Sequence, residues 1–429
     1  MARDKVIVGV DIGTSKIATL IGNCGPLDTG INIIGVSVTP SKGLHKGQIV
    51  DIDEAIGAIT QSIEAAERMA GYSVSKAFVS VGGNHIASQN SHGVVAVAEP
   101  DKEITASDVS RVIDAAKAVS LSSSREILHV LPRGFMVDSQ EGIKNPVGMT
   151  GVRLEVDTHL ITGGSATLRN LARCVSEVGV DVQALVFGGM ASSEAVLTET
   201  EKELGVALVD IGSGTTDICF YVDGSLAYSA VIPVGAKNIT NDLAIGLRVS
   251  LESAEKIKLA LGEKQKEIAT LELKEEKSED EIDFGYLGLA EDVHKTSKRT
   301  LIEGIIKPRL NEIFSMVGME IKKSGLAGLM PGGLIITGGG ALTIGIAEAA
   351  KRNLAMPVRI GLPVKMTGLI DEIETPIFAT AVGLLHYGRQ SQISGERKIS
   401  FSSVGHFFNK IPLRGGASKI IDLFKSFLP

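Results

Sequence analysis

Two stretches of the chain decide the fold, because the second repeats the first. Residues 6–15 read VIVGVDIGTS and residues 206–215 read VALVDIGSGT. Each is an apolar run that ends in Asp-Ile-Gly and small hydroxyl residues, and a second β-rich run follows each, at 16–22 and 218–222. The repeat therefore predicts two related strand hairpins, one in each half of a duplicated α/β protein.

Length, charge and cysteine content narrow the class of protein. The chain has 429 residues, enough for two or more domains. Its formal net charge of -7 argues against a surface that coats nucleic acid. Cys24, Cys174 and Cys219 are odd in number and follow no metal-ligand spacing, so we expect reduced thiols rather than disulfides or a zinc site. Without an apolar run of about 18 residues, the sequence predicts no bilayer-spanning helix.

The small residues after each repeated aspartate predict a phosphate site. Without large side chains, backbone N–H groups can turn towards phosphate oxygens and form an anion nest. Two facing hairpins would hold one triphosphate from opposite sides, while Asp11 and Asp210 meet its magnesium through water. The alternative is two ordinary hairpins with glycine turns, which the duplication disfavours. The residues assigned to the phosphates are Asp11, Gly13, Thr14, Ser15 and Lys16 in the first loop, and Asp210, Gly212, Ser213, Gly214, Thr215 and Thr216 in the second.

Apolar periodicity predicts several further elements. These are a helix at 53–70, a strand at 93–98, a helix at 107–119, extended runs at 126–137 and 154–161, and a strand at 334–337 followed by three glycines and a helix through 354. The elements between 84 and 161 form a compact inserted α/β unit. The charged stretch 271–283 has no apolar face, and we expect a solvated loop or a fraying helix end there.

Three motifs taken together resemble the loops of actin-like ATPases. DIGTSK at 11–16 and DIGSGTTD at 210–217 look like their two phosphate loops, and TGGGA at 337–341 looks like their adenosine loop. Within that superfamily the chain is similar to the FtsA family of bacterial division proteins along nearly its whole length. The matching stretches include VGMTG at 147–151, ETEKELG at 199–205 and AVGLL at 381–385.

The resemblance implies an α/β actin-like ATPase fold, built of duplicated ribonuclease H-like halves with an FtsA-type inserted subdomain, and ATP with magnesium as the ligand. It implies that Gly338, Gly339 and Gly340 flank the ribose and adenine, and that Glu255 and Lys258 touch the nucleoside. The alternative for this last pair, one helical turn apart, is a surface ion pair.

The resemblance also implies discontinuous lobes. The first nucleotide-binding lobe (1A) takes 1–83 and 162–193 around the inserted subdomain (1C) at 84–161. The second (2A) takes 194–232 and 301–388 around a helical subdomain (2B) at 233–300. The Ser-, Gly- and Arg-rich segment 389–418 predicts a flexible tether.

The last residues, 419–429, recover helical spacing. Their apolar stripe consists of Ile420, Leu423, Phe424, Phe427 and Leu428. With flanking lysines and a polar tether before it, this helix is expected to lie on an anionic membrane surface. The alternatives are that it caps the protein's own core or enters a groove of a partner.

Catalysis is where the sequence departs from related ATPases, which place an acidic or amide side chain before the second loop to orient the attacking water. The corresponding residues 186–190 read VFGGM and contain no such side chain. Asp217 is the remaining candidate for acting on water. Because losing one positioning group can cost orders of magnitude in rate, we expect nucleotide binding with slow or negligible hydrolysis.

The function implied by the resemblance is that of a structural adaptor in cell division. FtsA-like proteins polymerise on the cytoplasmic face of the inner membrane at the division septum, tether the tubulin-like protein FtsZ there and recruit later divisome proteins. The FtsZ contact is expected in subdomain 2B. The alternatives are a pilus-assembly actin homologue, a sugar-kinase-type phosphotransferase and a heat-shock chaperone ATPase, the last of which would continue into a substrate-binding domain.

Overall fold

The computed structural model of the chain describes residues 5–25, 30–98, 103–270, 280–291, 295–369 and 373–393. The predicted terminal helix at 419–429 and the predicted tether from residue 394 onward lie outside these ranges. Residues 389–393, which we expected in the tether, are the last residues of a helix.

Many of the strands pair with the strand that precedes or follows them in the chain. They are β1 Lys5–Ile12, β2 Lys16–Cys24, β3 Ile31–Pro40, β4 Leu44–His45, β5 Gln48–Ile49, β6 Lys76–Val81, β7 Ala87–Ala96, β8 Arg125–Val137, β9 Gln140–Ile143, β10 Arg153–Gly164, β11 Asp181–Phe187, β12 Val206–Ile211, β13 Thr216–Val222, β14 Ser225–Ile232, β15 Glu281–Asp283, β16 Lys295–Ser297, β17 Leu334–Thr337, β18 Val358–Ile360 and β19 Met366–Gly368.

The α-helices connect and cover these strands. They are α1 Ile52–Ala70, α2 Ala106–Lys117, α3 Ser165–Glu177, α4 Gly188–Val196, α5 Glu199–Leu204, α6 Ala236–Leu247, α7 Leu251–Thr270, α8 Lys307–Ser324, α9 Ile346–Leu354 and α10 Ala379–Ile393. A π-helical segment, Thr300–Ile306, leads directly into α8. Within the described ranges, no helix is both long enough and apolar enough to cross a bilayer.

Five strands of each main sheet share one order, which confirms the predicted duplication. The first is β11-β6-β1-β2-β3-β19 and the second is β14-β13-β12-β17-β18. In both, three consecutive strands pair antiparallel, and two later strands join in parallel beside the first of the three. Of their central strands, β12 is buried at every residue and β1 is buried at residues 7–10 and 12, in agreement with their continuous apolar sequences.

A separate antiparallel sheet is inserted into the first half after β6. Its order is β7-β10-β8-β9, and α2 covers one face over a small core of its own. This inserted sheet also contacts β14 of the second half. Ser88 Oγ donates to the Ser229 carbonyl at 2.6 Å, and the buried His159 lies 2.9 Å from Ser229 Oγ through its Nε2.

Helices α4 and α10 pack against each other between the two main sheets. Their crossing is close because Gly383 has no side chain: a Cβ added there would lie 1.7 Å from the Ala191 carbonyl oxygen. Helix α10 also lies directly on β1, where a Cβ at Gly9 would stand 2.9 Å from Leu384 Cβ. Glycines therefore permit the close packing of α10 on α4 and on β1.

The C-terminal part of the chain contributes to both halves. After β18 in the second sheet, β19 pairs in parallel with β3 at the edge of the first sheet, with Met366 opposite Ile31. Helix α10 follows and joins the core of the first half. The lobe boundaries given above remain a prediction.

Several local predictions are confirmed and others need correction. The helices at 53–70 and 107–119 and the extended runs at 126–137 and 154–161 are present as α1, α2, β8 and β10. The strand predicted at 93–98 is β7, Ala87–Ala96, whose first residues are polar and so gave no apolar pattern. The three glycines open a 3-10 turn, and α9 begins only at Ile346.

The charged stretch at 271–283 is only partly described. Residues 271–279 lie outside the described ranges. At its end, Glu281–Asp283 pairs with β16 and buries Ile282, so a solvated loop was the wrong expectation for these residues. Cys24, Cys174 and Cys219 are all buried, and none of them forms a disulfide with another described residue.

Candidate functional site

A cleft of about 610 Å³ lies between the two halves, at the ends of β1 and β12. It collects most of the residues that sequence analysis assigned to a phosphate and nucleoside site. Those that line it are Asp11, Gly13, Thr14, Ser15, Lys16, Asp210, Gly212, Ser213, Thr215, Asp217, Glu255, Lys258, Gly338, Gly339 and Gly340.

Two assigned residues do not line the cleft. Thr216 is fully buried, and its hydroxyl donates to the Val234 carbonyl at 2.8 Å. Gly214 faces the opposite loop, because a Cβ added there would lie 3.0 Å from Thr14 Oγ1. The two loops are therefore in near contact across the cleft.

The two loops have the same backbone turn. Gly13 N donates to the Lys16 carbonyl at 3.0 Å in the first, and Gly212 N donates to the Thr215 carbonyl at 2.9 Å in the second. Each turn follows the last residues of a central strand, so the duplicated sequence produces a duplicated geometry.

Hydroxyl groups outside the loops hold both repeated aspartates. Ser80 Oγ, at the end of β6, donates to Asp11 Oδ1 at 2.8 Å. Thr380 Oγ1, in α10, donates to Asp210 Oδ2 at 3.1 Å. Sequence analysis missed both, because single hydroxyl residues carry no repeat or motif that could identify them.

Burial raises the pKa values of the carboxyl groups in the cleft. It raises the pKa of Asp11, against the attraction of Lys16 and the hydrogen bond from Ser80. The pKa of Asp210 rises to about 6, mainly through burial and also through the nearby charge of Asp11. Burial, Asp210 and Asp11 together raise the pKa of Asp217 well above its usual value.

Lys16 is the positive group among these carboxyl groups. Burial lowers its pKa, although Asp11 and Asp210 favour the charged form. Its ammonium donates to the Ile377 carbonyl and lies 5.0 Å from the centre of the Phe378 ring. Ile377 and Phe378, which precede α10, therefore fix the position of the Lys16 ammonium.

Asp217 faces the cleft between two glycines. A Cβ at Gly82 would stand 3.6 Å from Asp217 Oδ2, and one at Gly188 would stand 2.9 Å from it. Asp217 Oδ1 is buried, and no described protein group bonds to it. A buried carboxyl oxygen of this kind requires a hydrogen-bond partner, so Asp217 is a candidate for contact with a ligand.

Glu255 and Lys258 form an ion pair in the wall of the cleft, with the lysine buried and the glutamate partly exposed. Lys258 Nζ lies 2.7 Å from Glu255 Oε2, and the lysine is buried. Lys258 also donates to Thr240 Oγ1 at 2.9 Å, and Thr240 lines the cleft as well. Beside them are the apolar side chains of Leu251, Leu259 and Leu342, suited to the flat face of a base.

The glycines of the third loop permit a close approach to β12. Gly338 has a φ of 81°, and a Cβ there would stand 2.2 Å from Asp210 Oδ1. A Cβ at Gly340 would stand 2.4 Å from Ile211 Cγ2, whereas Gly339 faces open space. Two of the three glycines are therefore required by packing against the second phosphate loop.

The residues present fit a magnesium–phosphate ligand better than a bare ion. Over the ranges described, no group of three or more His, Cys, Asp or Glu side chains is arranged to hold a metal by itself. Mg²⁺ usually keeps several waters and takes one or two carboxylates together with phosphate oxygens. Asp11 and Asp210 are the carboxylates placed beside both phosphate loops.

Sequence analysis also missed Lys237 and the hairpin residue Gly47, which line the cleft. Lys237 N donates to the Ser213 carbonyl at 2.9 Å, so the first turn of α6 is attached to the second loop. A lysine in the first turn of a helix has no distinctive pattern. The only sequence feature that could have indicated Lys237 is the second repeated loop, to which it is attached in the structure.

Two duplicated halves around a cleft with facing loops place the chain in the class of proteins with the actin-like ATPase fold. Solved structures support this class. The chain resembles the protein of the PilM-PilN type IV pilus biogenesis complex with a TM-score of 0.62, 14% identity and coverage of 89% of this chain and 98% of that chain. It resembles MreB5 of Spiroplasma citri bound to ADP with a TM-score of 0.52, 14% identity and coverage of 91% and 99%. At such identities the likeness concerns the fold alone.

Sequence comparison identifies the family. The model described as "SHS2 domain inserted in FTSA" matches residues 83–162, and "Cell division protein FtsA" matches 207–383. The FtsA of Pseudomonas aeruginosa is 39% identical over 410 residues, 95% of both chains. That of Bacillus subtilis is 40% identical over 402 residues, 94% of this chain and 87% of its own. The chain belongs to the FtsA family of cell division proteins.

Proposed function

We propose that the cleft binds ATP with Mg²⁺. The observation that carries this proposal is the pair of equivalent loops, 11–16 and 210–216, which face each other across a cleft of sufficient size. Backbone amides of both loops and Lys16 would hold the phosphates, and Asp11 and Asp210 would hold Mg²⁺ through water. Bound Mg²⁺ would neutralise phosphate charge beside these carboxylates. Glu255, Lys258 and the glycines 338–340 would hold the nucleoside.

We expect hydrolysis to be slow. Asp217 lines the cleft beside Gly188, and residues 186–190 supply no acidic or amide side chain that could position water with it. Burial also favours the protonated form of Asp217, which cannot accept a proton from water. Steady-state turnover is therefore expected below roughly one per second, and a faster rate would contradict this assignment.

The proposed role in the cell is that of an adaptor. Membership of the FtsA family establishes a role in cell division. We further propose that the chain polymerises on the cytoplasmic face of the inner membrane at the septum, anchors FtsZ there and recruits later divisome proteins. The apolar stripe at 420–428 supports attachment to the membrane. Because one short helix binds weakly, polymerisation would strengthen attachment through effective concentration.

The test is sedimentation of the full chain with anionic liposomes, ATP and FtsZ. The unmodified chain should carry FtsZ into the pellet, and the Phe424→Ala/Phe427→Ala variant should leave both in the supernatant. Phe407→Ala/Phe408→Ala is the matched control, since it removes two phenylalanines from the predicted tether, and it should pellet normally.

Two results would point elsewhere. Pelleting of the chain without FtsZ would favour the pilus-assembly alternative, and phosphate transfer to a sugar would favour the kinase alternative. Equal pelleting of both double variants would contradict the membrane helix.

A further inference from the structure

The β4–β5 hairpin closes the phosphate end of the cleft from a third side. Its tip, Lys46-Gly47, has φ values of 48° and 74°, which reverse the chain within two residues. Gly47 N donates to Thr14 Oγ1 at 3.1 Å. A Cβ at Gly214 would lie 3.3 Å from Lys46 Cα. The hairpin tip therefore touches both phosphate loops.

The same tip touches the segment that leads from β6 into the inserted sheet. A Cβ at Gly47 would lie 2.9 Å from Gly83 Cα. Next to it, Gln48 Nε2 donates to Asn84 Oδ1. One short hairpin thus contacts the nucleotide loops on one side and the inserted subdomain on the other.

Residues 82–85 and 162–164, where the chain enters and leaves the inserted sheet, form what we call the neck. His85 Nδ1 accepts a hydrogen bond from Gly164 N at 3.1 Å. Arg125 Nη2 donates to one backbone carbonyl in each segment, at 2.9 and 3.0 Å. Because these bonds join both segments, a displacement of the neck moves the inserted sheet as a unit.

The base of the hairpin is fixed. The Gly43 carbonyl accepts from Val50 N at 2.8 Å and from Asp51 N at 3.1 Å. Asp51 also caps α1 by accepting from Glu54 N at 3.0 Å. Since α1 packs on the first sheet, the base of the hairpin is held to that sheet, and a displacement would fall on the tip.

We propose that this hairpin positions Thr14 for the phosphates and transmits nucleotide occupancy to the neck, and so to the orientation of the inserted sheet. The inference rests on the proposed binding of ATP. Thr14 lines the cleft and is in near contact with Gly214, so a phosphate held by Thr14 would press on the contact between the two loops. Packed contacts resist compression, so the tip that touches both loops has to shift, and Gln48 and Gly47 carry that shift to the neck.

The test is hydrogen exchange on the full chain with and without ATP–Mg²⁺, combined with titration of a fluorescent ATP analogue. ATP should slow exchange both at 44–49 and at the neck. In Gln48→Ala the hairpin should still be protected, whereas protection of the neck should fall about fivefold or more. Gln140→Ala, an exposed glutamine at the far edge of the inserted sheet, is the matched control and should behave as the unmodified chain.

The outcomes separate this inference from the function on which it rests. If the analogue does not bind, the proposed function fails and the inference fails with it. If the analogue binds but the neck of the unmodified chain is unprotected, or Gln48→Ala protects it equally, only the inference is overturned. In the nucleotide-free protein, Thr14→Val should speed exchange of the Gly47 amide, and an unchanged rate would contradict the positioning of Thr14.

Discussion

Asp210 shows most directly how a single residue of the cleft affects the stability of the nucleotide-free protein. Its pKa of about 6 exceeds the usual 3.8 because the carboxylate is buried near Asp11. At about 1.4 kcal/mol per pKa unit, ionisation at pH 7 destabilises the nucleotide-free fold by a few kcal/mol. Under the proposed binding of ATP with Mg²⁺, the bound cation would offset this cost in stability.

Asp210→Asn should consequently stabilise the nucleotide-free protein and abolish ATP–Mg²⁺ binding. The amide keeps an acceptor for Thr380 and removes the charge. We expect the free energy of unfolding to rise by about 1 to 3 kcal/mol at pH 7. Thermal unfolding with and without ATP–Mg²⁺ measures both effects. A variant that is less stable, or that is still stabilised by ATP–Mg²⁺, would refute this account.

The raised pKa of Asp210 also predicts that the stability of the nucleotide-free protein depends on pH. A group with a raised folded pKa contributes stability that is present below its unfolded pKa, 3.8, and is lost as pH rises through its folded pKa, about 6. Between pH 7 and pH 5 the nucleotide-free chain should therefore gain stability from Asp210 as pH falls. His85 and His159, whose pKa values burial lowers, act in the opposite direction. The difference in melting temperature between Asp210→Asn and the unmodified chain isolates the aspartate and should shrink as pH falls.

Among the structural elements, the α4–α10 pair depends most on a single glycine. Gly383→Ala places a Cβ 1.7 Å from the Ala191 carbonyl oxygen. Neither atom can rotate away, because the Cβ is attached directly to one helix backbone and the oxygen belongs to the other. We expect a loss of about 1 to 3 kcal/mol in stability.

A second glycine provides the control for that substitution. Gly57 is an exposed residue within α1, and a Cβ there meets nothing within 4 Å. Gly57→Ala should stabilise by about 0.4 to 1 kcal/mol, since it only restricts the unfolded chain. The melting temperatures of Gly383→Ala and Gly57→Ala test both expectations. If the two variants shift the melting temperature equally, the crossing of α4 and α10 is not tightly packed.

Elements with an amphipathic pattern could be predicted from sequence. The 53–70 helix alternates buried and exposed residues with helical spacing, and its capping aspartate, Asp51, precedes it. Strand β7 was misplaced because its first six residues, ASQNSH, offer no apolar alternation. Pairing with β10 along its length determines that strand, and pairing of this kind is not visible in one segment.

At the scale of the molecule, the duplication made the fold predictable and brought two distant loops into one site. The repeat directed attention to 11–16 and 210–216, and the glycines at 338–340 followed from the family resemblance. Ser80, Thr380 and the β4–β5 hairpin could not be found in this way. Each acts through a tertiary contact whose partner lies far away in the sequence, and none has a composition that differs from ordinary loops and helices.

The position of β19 and α10 has a consequence for attempts to divide the protein. Both follow the second sheet in the chain, yet one completes the edge of the first sheet and the other covers β1. A fragment ending at Leu204 would leave β3 unpaired on that side and an apolar face uncovered, so we expect it to precipitate when expressed alone. Coexpression with residues 205–429 should restore a soluble complex through fragment complementation. A folded, monomeric 1–204 fragment would show that the first half is autonomous.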